Sequence, residues 1–321
     1  MFTSTQTRPR LCLPIGSRGL LPLVILVGLL AAGSGCQGRT GEADRVWGSV
    51  GVQPGQFVRP RGITVAQPPW PEEVFVVDFA GRIQVFDLEG RFLRGWQTPA
   101  IANGRPSGLS VAPDGKLLVA DSHYNRILVY SRLGELEREI VGTDADGGPG
   151  PFAYLSDVVQ DRDGFFYVSE FGDGNRIRKL DQAGKFVAAW SGGPDLPLAR
   201  PRGLALGPGQ EIIVADSCNH CLQVFRRDGT WLRRIGRAGS DPGSFTYPYK
   251  VAVTPGGELI VAEFGSHRVQ RLSWEGEPLA TWGRPGRGPG CLGQPWGVAV
   301  DAGGRAFIAD TENHRIQRLR F

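Results

Sequence analysis

The stretch GVAVDAGGRAFIADTENHRIQRL, residues 297–319, recurs in weaker form along most of the chain, and that recurrence restricts the fold more than any other feature. Read physically it is three short strands. An apolar run (Val298 to Val300) meets a Gly-rich turn, a second apolar run (Ala306 to Ala309) is closed by Asp310, and a polar turn leads into an alternating strand, Arg315 to Leu319. Further copies begin at Gly108, Asp157, Gly203 and Val251, and another begins at Gly62 with the insertion QPPWPEE in its first turn. The acidic residue ending the second strand marks each copy: Asp78, Asp121, Glu170, Asp216, Glu263 and Asp310, at intervals of 43, 49, 46, 47 and 47 residues. A period this long, with several strands per copy, predicts a propeller and not a helical array.

A fourth strand is expected between copies, at Phe92 to Trp96, Leu136 to Val141, Phe186 to Trp190, Trp231 to Ile235 and Pro278 to Trp282. The last copy has none, because the chain stops at Phe321, but Asp44-Arg45-Val46-Trp47-Gly48 reads like Ala280-Thr281-Trp282-Gly283. The N-terminal strand is therefore expected to complete the last blade and remove the exposed edges of an open stack. The expected fold is all-β: a six-bladed propeller of four-stranded blades over residues 45–321.

The pattern F-x-x-P-x-G before the first strand (Phe57 to Gly62 and, with Lys last, Phe245 to Lys250) and D-x-x-N-H-R-I-Q at Asp310 to Gln317 resembles the NHL-repeat family of six-bladed propellers. The resemblance covers about residues 45–321 and implies the fold. For function it implies several classes, since propellers of this architecture include binding modules, lactonases and lyases.

Ahead of the repeats, Arg8, Arg10 and Arg18 precede an apolar run from Leu20 to Ala32 and then Gly33-Ser34-Gly35-Cys36. A basic leader, an apolar core too short to span comfortably and small residues before a cut read as a secretory signal peptide, residues 1–35. It resembles a bacterial lipoprotein signal, which implies acylation of Cys36, a tether over 36–44 and a location at the cell envelope. That motif usually has Leu where Gly33 stands, and ordinary cleavage or an uncleaved anchor are the alternatives. The 47 Gly and 24 Pro fall at blade turns and report tight turns, not disorder. The formal charge is +4, and removing the three leader arginines leaves +1, too little for a general electrostatic grip on nucleic acid.

Cys218 and Cys221 have metal-like spacing, yet without a second pair of ligands they read as a local disulfide or free thiols; Cys291 has no evident partner. His220, His267 and His314 occupy one turn position in three copies, where Asn125 and Asn175 stand in two others, and repetition of that kind points to the turn and not to a single catalytic site. The recurring Asp and Arg are expected as turn caps and inter-blade hydrogen bonds.

Function should show where the copies differ near the axis. Just before the first strand four copies keep Gly (Gly62, Gly108, Gly203, Gly297), while the third has Asp157 and the fifth Lys250; these same two copies have Glu170-Phe171-Gly172 and Glu263-Phe264-Gly265. One residue earlier stand Arg61, Ser107, Ser156, Arg202, Tyr249 and Trp296. One reading is a ligand pocket at the channel mouth, with Arg61, Arg202 and Lys250 on an anionic group, Tyr249 and Trp296 as apolar walls and Asp157, Glu170 and Glu263 as acceptors. The other is local ion pairing that fills the space Gly leaves elsewhere. With no nucleophile elbow, zinc-binding helix motif or phosphate loop, the expected function is a non-catalytic, cofactor-free envelope propeller, monomeric, binding a protein, peptide or glycan. The alternatives are a gluconolactonase-like hydrolase with a divalent metal on Asp157, Glu170 and Glu263, or an amidating or streptogramin-type lyase, which the lack of His on the innermost strands disfavours.

Overall fold

The computed structural model describes residues 43–142, 151–172 and 174–321. The leader, the acylation of Cys36 and the tether as far as residue 42 lie outside the described residues. Six four-stranded antiparallel sheets follow one another along the chain. Their innermost strands are Pro60–Val65, Gly108–Val111, Leu155–Gln160, Pro201–Leu206, Pro248–Val253 and Gly297–Val300, which number blades one to six. Each innermost strand contacts the next, and that of blade six contacts that of blade one, so the sheets close a ring around an axis.

Burial explains the strand sequences. Every second strand is buried along its whole length, as in Val74–Asp78 and Ile212–Asp216, because a neighbouring blade covers each of its faces; such strands read as continuous apolar runs. The fourth strands, such as Trp231–Ile235, form the rim and alternate in exposure. The core is six clusters, each shared by two neighbouring blades, as in Ala120, Ile127 and Ile140 of blade two against Phe152, Val158 and Val168 of blade three. The recurring Trp or Ile of the fourth strand caps each cluster. Trp96 of blade one lies against Gly134 of blade two, which has φ +95° and where an added Cβ would meet the indole at 2.6 Å.

The N-terminal strand Ala43–Trp47 pairs antiparallel with Arg315–Leu319 and completes blade six, with Trp47 opposite Ile316 and Ala43 opposite Leu319. This strand begins before residue 45, so Asp44, assigned to the tether at the sequence level, is inside the fold. It earns that place through Arg318, which is 4% exposed and donates to both Asp44 oxygens (2.8 and 3.1 Å), to Glu89 (2.8 Å) and to the Leu88 carbonyl (2.6 Å). A short hairpin, Gly192–Gly193 with Leu196–Pro197, lies between blades three and four, outside the repeat.

Candidate functional site

The innermost strands crowd the axis most closely at Gly62, Gly108, Gly203 and Gly297, where an added Cβ has no room. A Cβ on Gly297 would lie 2.3 Å from the Arg61 carbonyl oxygen, and one on Gly62 would lie 2.8 Å from that of Ser107. Blades three and five escape this by pointing side chains into the shared centre. Lys250 Nζ reaches across blade four to bond Asp157 Oδ2 and donates to the Leu204 carbonyl (3.2 Å), while the Leu204 N–H donates to Asp157 Oδ2 (2.8 Å). Burial raises the Asp157 carboxyl above the ordinary Asp value, against the opposing pull of the Lys250 ammonium and the Leu204 N–H. Asp157 Oδ1 is buried without a hydrogen-bond partner.

One residue further out, the six side chains form the channel mouth. Arg61 and Arg202 stand on blades one and four, opposite each other in the ring. Ser107 and Ser156 lie between them on one side, and Tyr249 and Trp296 lie on the other. The Arg61 guanidinium sits 4.5 Å from the Phe79 ring and 4.6 Å from that of Trp296. Arg202 sits 4.4 Å from Phe171, 5.1 Å from Tyr249 and 5.6 Å from Trp296. Tyr249 stacks on Phe264 at 4.4 Å and meets Trp296 edge-on at 4.9 Å. The Ser107 hydroxyl donates to the Ser156 carbonyl (2.8 Å) and accepts from Ser122 (2.6 Å).

Neither guanidinium has a carboxylate partner among the described residues. Arg202 is only 6% exposed, and its Nε is buried without a partner. Burial, reinforced by the positive charges of Arg59, Arg202 and Arg105, pushes Arg61 down to about 10. Burial also lowers Arg202, with Arg200 adding to the effect and Tyr249 opposing it. Two cations desolvated on aromatic rings, without internal counter-charge, favour an anion arriving from outside.

The structure thus brings Arg61, Arg202, Tyr249 and Trp296 together and separates them from the other candidates. Lys250 is engaged by Asp157 in the floor. Glu170 and Glu263 do not line the mouth: each is fully buried, Glu170 accepting from Arg176, Arg178 (3.2 Å) and the Ala153 N–H (2.9 Å), Glu263 from Arg268 (2.6 Å), Gln270 (2.7 Å) and the Thr246 N–H (2.8 Å). The marker position holds a strand end to the loop entering its own blade, so its carboxylate points away from the axis, and the paired arginines bond that loop and not the next blade. Arg268, for instance, donates to Ser244 (2.7 Å) and Arg315 to Cys291 (3.0 Å). The three histidines do serve the turns. Their Nδ1 atoms accept from backbone N–H groups of the following blade, His220 from Tyr247 (3.1 Å), His267 from Gln294 (3.0 Å) and His314 from Arg59 (3.1 Å).

The local disulfide is not formed. Cys218, exposed in the turn Ser217–Asn219, and Cys221, buried at the start of its strand, are free thiols separated by the left-handed His220, as is buried Cys291. Nor does the axis suit a divalent metal. Asp157 is the sole carboxylate on the described innermost strands and faces an ammonium, and among the described residues no three of His, Cys, Asp or Glu converge.

Sequence reasoning missed the phenylalanines. The residue after the marker alternates around the ring as Phe79, Ser122, Phe171, Ser217, Phe264 and Thr311, and the three Phe build the mouth's walls. That alternation was the available signal.

A model of the NHL repeat matches residues 103–130, 198–225, 245–272 and 292–319, the entry loop through third strand of blades two, four, five and six. Blades one and three lie outside these matches. Among solved structures, a virginiamycin B lyase from Staphylococcus aureus is similar at 16% identity and TM-score 0.58, over 82% of this chain and 95% of that one. A gluconolactonase from Xanthomonas campestris is similar at 17% identity and TM-score 0.60, over 83% and 87%. A putative gluconolactonase gives 16% and 0.62, over 88% and 97%. At such identities the likeness is one of fold.

Proposed function

The chain is an NHL-repeat six-bladed β-propeller, and from that premise we propose that it is a non-catalytic binding module, holding an anionic group of an envelope protein, peptide or glycan at its axial mouth. The observation that carries this reading is the pair Arg61 and Arg202, both desolvated against aromatic rings and both without a carboxylate. Rings covering the guanidinium faces leave the N–H edges for a carboxylate, sulfate or phosphate. Trp296 and Tyr249 offer a stacking wall for the sugar or side chain that bears it. Hydrolysis of the gluconolactonase kind is the second reading the shared fold allows, but its metal would have to displace Lys250 from Asp157.

The test is isothermal titration of the domain with oligogalacturonate and with an oligo-glutamate peptide. Each charge-assisted contact contributes about 1.5–3 kcal/mol, so Arg61→Ala/Arg202→Ala should weaken binding at least about tenfold. Its melting temperature should stay close to that of the native domain, since neither arginine holds a carboxylate. Undiminished binding by the double variant would remove the mouth from consideration.

The leader supports an exported protein held to a membrane of the bacterial envelope by an acylated Cys36. Ala43 lies opposite Leu319, whereas the mouth end of that strand is Arg315, next to His314 and its contact with Arg59. Ala43, the first described residue, therefore stands at the end of blade six away from the mouth. Labelled palmitate should appear on the native chain and vanish in Cys36→Ala; label retained in that variant would overturn the anchor.

A further inference from the structure

The other end of the axis is built differently. Beyond Lys250 the channel widens into a funnel of about 400 Å³. Its wall is formed by the last residues of the six innermost strands, Val65, Val111, Gln160, Leu206, Val253 and Val300, so all six blades contribute. The blade-one insertion is fixed over it. Gln67 Nε2 donates to the Val300 carbonyl (2.6 Å), the Ala302 N–H donates to Glu72 (2.9 Å), and Trp70 Nε1 reaches the Pro113 carbonyl at 3.5 Å. The insertion thereby spans blades six, one and two and places Pro68, Pro69 and Trp70 on the funnel wall.

We propose that this funnel is a second binding site, for an uncharged and largely apolar small molecule bearing one or two hydrogen-bonding oxygens. Its volume lies in the range of ligand pockets. The charge of its floor is already balanced, because Lys250 is held by Asp157 and the Leu204 carbonyl. The remaining charged residue at the funnel, Arg162, is exposed. What the walls offer is neutral: Ser110, whose hydroxyl donates to the Val158 carbonyl (2.6 Å) and keeps its lone pairs, and the amides of Gln160 and Gln210. A charged group buried in the funnel would face the cost of desolvation with only the exposed, solvated Arg162 beside it. The insertion supplies a reason for its own presence, since blades two to six turn at this position without it.

The probe for the test is N-phenyl-1-naphthylamine, uncharged and fluorescent when removed from water. Titrated with the full chain, it should bind saturably at one site and be displaced by 1-decanol at lower concentration than by decanoate. Trp70→Ala, a change in a surface loop, should weaken it at least fivefold. Ala252→Phe, which fills the funnel, should weaken it at least tenfold, while Arg61→Ala/Arg202→Ala should leave it unchanged. The thermal transition of each variant checks folding, and if Ala252→Phe does not fold, Trp70→Ala decides alone. Lack of saturable binding, displacement by decanoate before decanol, native affinity in Trp70→Ala, or loss in the arginine variant would each overturn the proposal. The last result would assign the probe to the mouth.

Discussion

Asp157 and Lys250 show how one pair of residues breaks an otherwise repeated plan. Four blades bring glycine to the axis because their backbones nearly touch; blades three and five bring opposite charges that neutralise each other there. A buried ion pair is costly to break from one side, since the survivor is left charged in a poor solvent. The sign of the pH dependence follows from Asp157. Burial already holds its carboxyl above the ordinary Asp value, so its contribution to stability is full below about pH 4 and declines as pH rises through the raised value. Lys250→Met removes the attraction that opposes burial and should raise that carboxyl further. The variant should therefore nearly match the native domain at about pH 4 and fall behind as pH rises, by about 3 kcal/mol at neutrality, in urea denaturation at several pH values. A deficit independent of pH would show that lost packing, not charge, is responsible. Arg61 and Arg202 differ from Lys250 because they lack such a partner, and replacing them should alter binding more than stability.

At the scale of strands and turns, much was legible because each blade repeats the same local solution. Strand positions could be read from apolar runs that are buried on both faces, and the turn histidines could be recognised as structural because Asn125 and Asn175 replace them in equivalent copies. The structure gives the reason for one of them: Asn175 Oδ1 accepts the Arg200 N–H (3.0 Å) as His314 Nδ1 accepts that of Arg59 (3.1 Å), stapling the turn to the next blade, whereas Asn125 Oδ1 is buried without a partner. What was not legible were directions. Glu170 and Glu263 sit one residue before Phe171 and Phe264, and strand pleating sends the carboxylates into the blade while the rings line the axis. Only the alternation of Phe with Ser or Thr after the marker bears on which of the two adjacent residues faces the channel. The insertion after Ala66 was visible as extra length, but its place over the funnel depends on Gln67 meeting the carbonyl of Val300, far away in sequence. The hairpin at Gly192–Gly193 left no signal beyond glycine.

For the whole molecule the decisive contact is between its two ends. A stack of blades interacts only with neighbours, so an open array would fray from either side, whereas a closed ring must lose two interfaces before any blade is free. Closure here rests on Ala43–Trp47, whose indole packs at 6.1 Å from Phe86 of blade one and 6.2 Å from Phe307 of blade six, bridging the seam. Arg318 crosses the same seam, from blade six to Asp44 and to Glu89 of blade one. Trp47→Ala should cost about 3 kcal/mol, the usual range for truncating a packed Trp, while Asp44→Asn should cost about 1 kcal/mol because Arg318 keeps Glu89 and the Leu88 carbonyl. A chain beginning at Ser49 lacks both and exposes the unpaired edge of Arg315–Leu319. Hydrogen exchange should then show the amides of Arg315–Leu319 losing protection first, ahead of those in blades three and four on the far side of the ring. If protection fell equally in every blade, the ring would be a single cooperative unit to which the seam contributes no more than any other interface. If protection at Arg315–Leu319 were unchanged, the N-terminal strand would not be what closes it.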